Sequence, residues 1–204
     1  MRVIAGQYRS RPLRSLRGMD IRPTSDRLRE TLFNVLSAGN RAALAGTTWF
    51  DLYAGTGAVG IEALSRGARS VYFVEASKAA AALIAENLRS LGIADKVHIV
   101  KGEVGKALRQ WETAGVMADF VFLDPPYRLR QEYARTLEAL TGSKLLRESS
   151  VVIAEHEKRF DPGEEFGELR RYRKLEQGDA GLSFYRRREL RASGRELRAN
   201  HSSS

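Results

Sequence analysis

The chain contains no cysteine. That absence excludes a disulfide framework, a Cys-ligated zinc, an iron–sulfur cluster and a cysteine nucleophile together. Histidine is scarce as well: His98, His156 and His201 stand far apart and show no metal-ligand spacing, so no metal is expected. No apolar run approaches the roughly 18 residues that span a bilayer. The first residues are rich in arginine and lack the apolar stretch of a signal peptide, so the expected location is the cytoplasm. No internal repeat or low-complexity segment is present. What the 204 residues do have is 43% apolar and 29% charged side chains, the balance of one globular domain that buries its own core. Nothing in that composition demands a second copy, and a monomer is expected.

Lysine is missing where positive charge is densest. Residues 1–30 hold eight Arg against three acids, and residues 186–204 hold six Arg against two Glu, with no Lys in either stretch. The formal net charge is +9, and these two ends supply all of it, because residues 31–185 are balanced. A basic excess confined to the ends of a neutral body is the footprint of a polyanion site. Arginine in place of lysine suits forked contacts to phosphate. Arg9, Arg11, Arg14, Arg22 and Arg27 are the candidates. The tail at 189–204, ending in Asn-His-Ser-Ser-Ser, is expected to be disordered and solvated.

Residues 2–8 and 12–16 predict two short strands around the polar Arg9-Ser10-Arg11 turn, a hairpin. A helix is predicted over about 25–37, with Leu28, Leu32, Val35 and Leu36 on one face and Arg27, Arg29 and Glu30 on the other. Residues 1–45 therefore read as a hairpin-and-helix extension. From residue 48 strand and helix alternate, with strands at 48–53, 70–75, 97–100, 120–123 and 151–154. Helices fall between them at about 58–66, 77–91, 104–113 and 130–141. Alternation of this kind implies a mostly parallel sheet covered by helices on both faces. Strands at 169–176 and 182–187, joined by a Gly-containing turn with no helix, close the sheet as an antiparallel hairpin. The body is thus an α/β domain over residues 46–188.

Two motifs sit on this frame. Gly55, Gly57 and Gly60 after the first strand form G-x-G-x-x-G, a weak signal alone. Asp51 would repel a pyrophosphate but suits the ammonium of a methionine moiety. Glu75, 24 residues further on at the end of the second strand, suits a ribose diol. S-adenosyl-L-methionine fits this pattern better than NAD. Phe122-Leu123-Asp124-Pro125-Pro126-Tyr127 follows the fourth strand. Its two prolines lack N–H groups and hold the backbone extended, so the Asp124 carboxylate and the Pro125 carbonyl form a pair of acceptors. Such a pair suits an exocyclic base amine, a poor nucleophile because its lone pair is delocalised. Gripping both N–H bonds localises that lone pair and stabilises the positive charge that develops on attack. The Tyr127 ring offers a stacking face for the base.

These motifs resemble the amino-group methyltransferases of class I, whose Rossmann-like fold carries a seven-stranded sheet. The resemblance extends to the RsmD family through Arg2-Val3-Ile4-Ala5-Gly6-Gln7-Tyr8-Arg9 and through Arg22-Pro23-Thr24-Ser25-Asp26-Arg27-Leu28-Arg29-Glu30. It continues through Asp51-Leu52-Tyr53-Ala54-Gly55-Thr56-Gly57 and Gly60-Ile61-Glu62-Ala63-Leu64. It implies methylation of the N2 amine of guanine 966 of 16S rRNA within the small ribosomal subunit. It also implies that Asp51, Gly55 and Gly57 line the methionine end of the cofactor site, that Ala54 and Thr56 of the same turn bind the cofactor, and that Glu75 holds the ribose. Glu103 would sit beside adenine, where many class I enzymes carry Asp. Asp124, Pro125, Pro126 and Tyr127 would hold the base. The block from Arg22 to Asn34, Thr24 included, would close over the cofactor and meet RNA. His156, a single histidine without a partner, reads as structural. Two other readings share these residues: an adenine-N6 methyltransferase on DNA or RNA, and a non-catalytic RNA-binding factor of ribosome assembly. A nicotinamide oxidoreductase is disfavoured by Asp51.

Overall fold

Five strands build the parallel part of one sheet: β1 (Thr48–Leu52), β2 (Ser70–Glu75), β3 (Val97–Lys101), β4 (Ala118–Leu123) and β5 (Leu146–Glu157). The apolar runs 121–123 and 151–154 lie buried in its middle, as strands covered on both faces do. The computed structural model describes residues 1–15, 25–40 and 42–188. Helices α1 (Asp26–Leu36), α2 (Ala58–Ser65), α3 (Lys78–Ser90), α4 (Val104–Thr113) and α5 (Gln131–Thr141) complete the α/β part. Three strands follow: β6 (Glu165–Phe166), β7 (Leu169–Gln177) and β8 (Ala180–Arg187). The spatial order is β3-β2-β1-β4-β5-β8-β7-β6, with β8 antiparallel to both β5 and β7. The sheet thus has the predicted seven strands and a two-residue eighth on its edge. After β1 the chain runs outward to β3 and then returns to β4 on the other side of β1. That reversal opens a crevice at the C-terminal ends of β1 and β4.

Alternation along β1 divides the core. Trp49 faces α1, where its ring stacks between Phe33 (5.3 Å) and Phe120 (4.8 Å), and Phe50 faces α4, 4.6 Å from Trp111. Helix α2 is buried along its whole length, Glu62 included. That buried carboxylate is fully engaged: it accepts from the amides of Ile4 (2.8 Å) and Ala5 (3.0 Å) and from Arg66 Nε (2.8 Å). A buried charge is tolerable only when its lone pairs are satisfied, and here it fastens the N-terminal residues to the domain.

Two local expectations change. The N-terminal hairpin is reduced to a single antiparallel bridge, Arg2 to Pro12, and residues 5–10 are wound into turns. Some of their amides turn to α2 instead, as Gln7 N donates to Ser65 O (2.7 Å) and Tyr8 N to Ser65 Oγ (2.9 Å), while Arg9 N and Ser10 N bond within the loop. Helix α1 begins within its predicted range, with the Ser25 hydroxyl accepting from the Leu28 amide as its cap, but its buried face is Leu28, Arg29, Leu32 and Phe33. Arg29 is therefore inside and not on the polar face. Its guanidinium donates to the Arg2 carbonyl (2.5 Å) and pairs with Asp26 (3.0 Å). Among the described residues no helix is long and apolar enough to cross a membrane.

Candidate active site

The turn after β1 is shaped by backbone that ordinary residues rarely adopt: Gly55 and Gly57 have φ of +56° and +75°, and Tyr53 has +61°. Its carboxylates organise it. Asp51, 1% exposed, accepts from the Gly60 amide in the first turn of α2 (2.8 Å). A side chain at position 60 would strike the Phe73 ring and Val71, so this glycine lets the helix lie close on β2. Glu75 accepts from Gly55 N (2.8 Å) and Ser77 N (2.7 Å), which ties the turn to the end of β2. Behind the turn, buried Asn87 on α3 donates to Thr56 O (3.1 Å) and Arg14 O (3.2 Å) and accepts from Arg14 N (2.8 Å).

These residues form one wall of a cavity of about 1150 Å³ at the strand ends. Asp51, Ala54, Gly55, Thr56, Glu75 and Glu103 line it, and so do Asp124, Pro125, Pro126 and Tyr127. The two sequence motifs, separated by some seventy residues, therefore share one space. Gly57 does not line the cavity. It caps the N-terminus of α2 and packs toward Ile84. Glu103 stands at the mouth, with 74% of its side chain exposed and an ion pair to Lys106 at 3.3 Å. Thr24 and Arg22 lie outside the described residues, as does the tail at 189–204.

Electrostatics set this cavity apart from the rest of the surface. Burial pushes the Asp51 carboxyl up to about 8, the Gly60 hydrogen bond opposes that shift, and the charge of Glu75 adds to it. Asp124 is also held well above the usual carboxylate range, first by burial and then by Glu155 and Asp51. Leu123 pairs with Ala154 in the parallel register, so Asp124 and the buried Glu155 leave neighbouring strands side by side. Shifted carboxyls gathered in a cleft mark a functional site. They also make it a place for a cation, whose charge would favour the ionised forms.

Sequence reasoning missed four supporting residues. Tyr53 lines the cavity and bonds through its hydroxyl to Thr136 Oγ1 (2.8 Å) and Glu132 (3.2 Å). Glu62 stands in the Gly60–Leu64 stretch but was given no role there, while Glu155 and Asn87 lie outside the motifs and are marked only by their burial. His156 is structural as read: it is buried, with Nε2 against Ser183 Oγ (2.9 Å) and Nδ1 against the Glu157 carbonyl (2.8 Å). Burial pushes it below its ordinary value. Among the arginines, Arg9 and Arg27 are exposed with no ion pair among the described residues. Arg11 donates to the Ser90 carbonyl at the end of α3 (3.1 Å), and Arg14 pairs with Glu86 (3.2 Å). Among the described residues no group of three or more His, Asp or Glu could hold a metal ion.

The family described as conserved hypothetical protein 95 matches this chain over residues 1–186. The chain belongs to this family. It is 31% identical over 188 residues to YlbH of Bacillus subtilis, covering 92% of this chain and all of that one. To the ribosomal RNA small subunit methyltransferase D of Escherichia coli it is 34% identical over 157 residues, covering 77% and 75% of the two chains. These matches make it a member of the RsmD family that its motifs resemble. The solved structure of Escherichia coli yhhF superposes with a TM-score of 0.75 at 31% identity, over 92% of this chain and 97% of that one. The fold alone is shared with a Salinibacter ruber RNA methyltransferase solved with S-adenosyl-L-homocysteine (TM-score 0.61, 17% identity, 82% and 94% covered). The fold is that of the class I, Rossmann-like methyltransferases.

Proposed function

We propose that this member of the family is an S-adenosylmethionine-dependent methyltransferase of ribosomal RNA and that its target is the N2 amine of guanine 966 of 16S rRNA in the small ribosomal subunit. The observation that carries the reading is the meeting in one cavity of the Gly55–Gly57 turn, with its two carboxylates, and the Asp124–Tyr127 motif. The Escherichia coli relative, a ribosomal RNA small subunit methyltransferase, supports the substrate class.

The residues present fit the cofactor. Asp51 is a buried carboxyl beside the turn and suits the ammonium, Glu75 suits the ribose hydroxyls, and Glu103 at the mouth suits the adenine edge. When bound, S-adenosylmethionine supplies a methyl group on a sulfonium. The chain's own residues prepare the nucleophile. Asp124 and the Pro125 carbonyl accept the two N–H bonds of the base amine, localise its lone pair and stabilise the positive charge that develops. Tyr127 stacks on the base and holds it out of its own strand, a contact worth about 1–3 kcal/mol. The proton released afterwards passes to the Asp124 carboxylate, which already accepts from that amine.

The test is nucleoside mass spectrometry of small subunits from cells lacking the protein, incubated with purified protein and S-adenosylmethionine. N2-methylguanosine at a single site is the expected result, and N6-methyladenosine would overturn the target. Asp124→Ala is expected to lower kcat by at least about 100-fold, the scale of losing one pre-organised hydrogen-bonding partner. Cofactor affinity stays within a few-fold, and full activity in that variant would overturn the mechanism.

A further inference from the structure

Residues 169–188, the β7–β8 hairpin and the residue after it, carry seven basic residues, and their partners sort them into two groups. Arg170, Arg171, Lys174, Arg187 and Arg188 are each paired with a carboxylate of residues 161–168, at 3.4, 2.6, 3.3, 3.6 and 3.0 Å respectively. Arg173 and Arg186 have no ion pair among the described residues and are exposed. They flank Tyr172, the one exposed large apolar side chain among the described residues. Arg186 lies over the Tyr172 ring, 4.6 Å from its centroid.

The backbone explains how these three come together. The β7–β8 register shifts between Arg171 and Arg173, so Tyr172 is an extra residue and Arg173 opposite Phe184 resumes the pairing. Such a bulge bends the strand and re-aims the side chains around it. The Tyr172 ring comes to lie 6.2 Å from the Phe184 ring, whose side chain belongs to the core layer beneath α1. The patch is thus on the α1 side of the sheet, the side that also carries exposed Arg27. Three strand spacings of about 4.8 Å and two residues of about 3.3 Å put it about 16 Å from Asp124. A few nucleotides of single-stranded RNA span that distance.

We infer that Tyr172, Arg173 and Arg186 form a docking surface for a single-stranded segment of the RNA substrate, in which one base stacks on Tyr172 and the two guanidiniums take the flanking phosphates. The inference rests on the rRNA methyltransferase reading above. An aromatic face with unneutralised arginines is the combination that binds single strands without reading their sequence. The competing account is an edge strand kept charged to prevent pairing with a second copy. It explains cations on β7, but not a half-exposed ring, nor an arginine on β8 with no ion pair among the described residues, since β8 is not an edge.

The test compares the parent with Tyr172→Ala, Tyr172→Phe and the double variant Arg173→Gln/Arg186→Gln. Affinity for a 16S rRNA transcript and for small subunits is measured across salt concentrations, with S-adenosylmethionine affinity measured alongside by calorimetry. Tyr172→Ala is expected to weaken RNA binding about tenfold and Tyr172→Phe to leave it unchanged, because the ring makes the contact. The double variant is expected to lower the salt slope by about 1.4, near 0.7 per phosphate on a single strand. Cofactor affinity and kcat at saturating RNA stay at parent values. Unchanged RNA affinity and slope, or variants that merely self-associate at the edge, would overturn the docking surface and leave the methyltransferase reading intact. No RNA binding by the parent chain would overturn that reading and this inference together.

Discussion

Asp51 shows how one residue's environment sets a measurable property of the site. A carboxyl raised to about 8 by burial keeps its proton in the folded chain at pH values where the unfolded chain has released it. The stability it contributes is fully present below the unfolded value near 4 and is lost as pH rises toward 8. Asp51→Asn removes the titration while keeping an oxygen for the Gly60 amide. The melting temperature of the ligand-free Asn variant is therefore expected to gain on that of the parent as pH rises from 5 to 8. A cationic ligand has the opposite preference, because it favours the ionised carboxylate. Cofactor binding near pH 7 is expected to release a proton, seen as a dependence of the calorimetric enthalpy on the buffer's ionisation enthalpy. Affinity should rise several-fold per pH unit up to about 8. Equal enthalpies in all buffers would show that Asp51 does not change its charge on binding. The sequence identified this residue by its place before the glycines, but its titration depends on burial that no spacing displays.

At the scale of elements, α3 does more than cover the sheet. Asn87 takes both the N–H and the carbonyl of residue 14 and at the same time holds the carbonyl of Thr56 in the glycine turn. One side chain thus joins the N-terminal residues to the cofactor turn. Asn87→Ala leaves these groups without their partners and is expected to destabilise the fold by about 1–3 kcal/mol, read from denaturant unfolding. It should also weaken S-adenosylmethionine binding, because the turn loses its anchor. A stability loss with unchanged cofactor affinity would separate the two roles. The elements that the sequence made legible are those with a period and a cap. Helices α2 to α5 and strands β1 to β4 lie within about two residues of their expected positions because apolar spacing and glycine stops define them. Strand β5 runs from Leu146 to Glu157, far longer than the apolar run at 151–154, because Leu146 pairs with Ala118 of β4 ahead of an irregularity and the polar end at Glu155, His156 and Glu157 pairs with β8. The two residues of β6 form a strand only by pairing with β7. The inward turn of Arg29 was illegible for a related reason. Its guanidinium donates to a carbonyl 27 residues away, which no local pattern encodes.

At the scale of the molecule, the net charge of +9 resolves into charges that are spent inside the fold and charges that face solvent. Arg29 is buried, Arg14 is held by Glu86, and Arg11 caps α3, so they cannot all be counted as a polyanion footprint. Arg9 and Arg27 remain exposed without ion pairs among the described residues, in the part of the chain where the sequence placed the RNA contact. The excess of arginine was legible, but its partition was not, because pairing depends on which carboxylates the fold brings near. This partition makes a quantitative expectation. If Arg9 and Arg27 each neutralise one phosphate, Arg9→Gln/Arg27→Gln lowers the slope of log affinity against log salt by about 1.4 on single-stranded RNA. Replacing Arg14 with Gln should change that slope little, because its charge is already shared with Glu86. All three substitutions leave the cofactor cavity untouched, so S-adenosylmethionine affinity serves as the internal control. Equal slope changes at Arg14 and at the Arg9/Arg27 pair would mean that total charge, and not its partition by the fold, governs RNA binding.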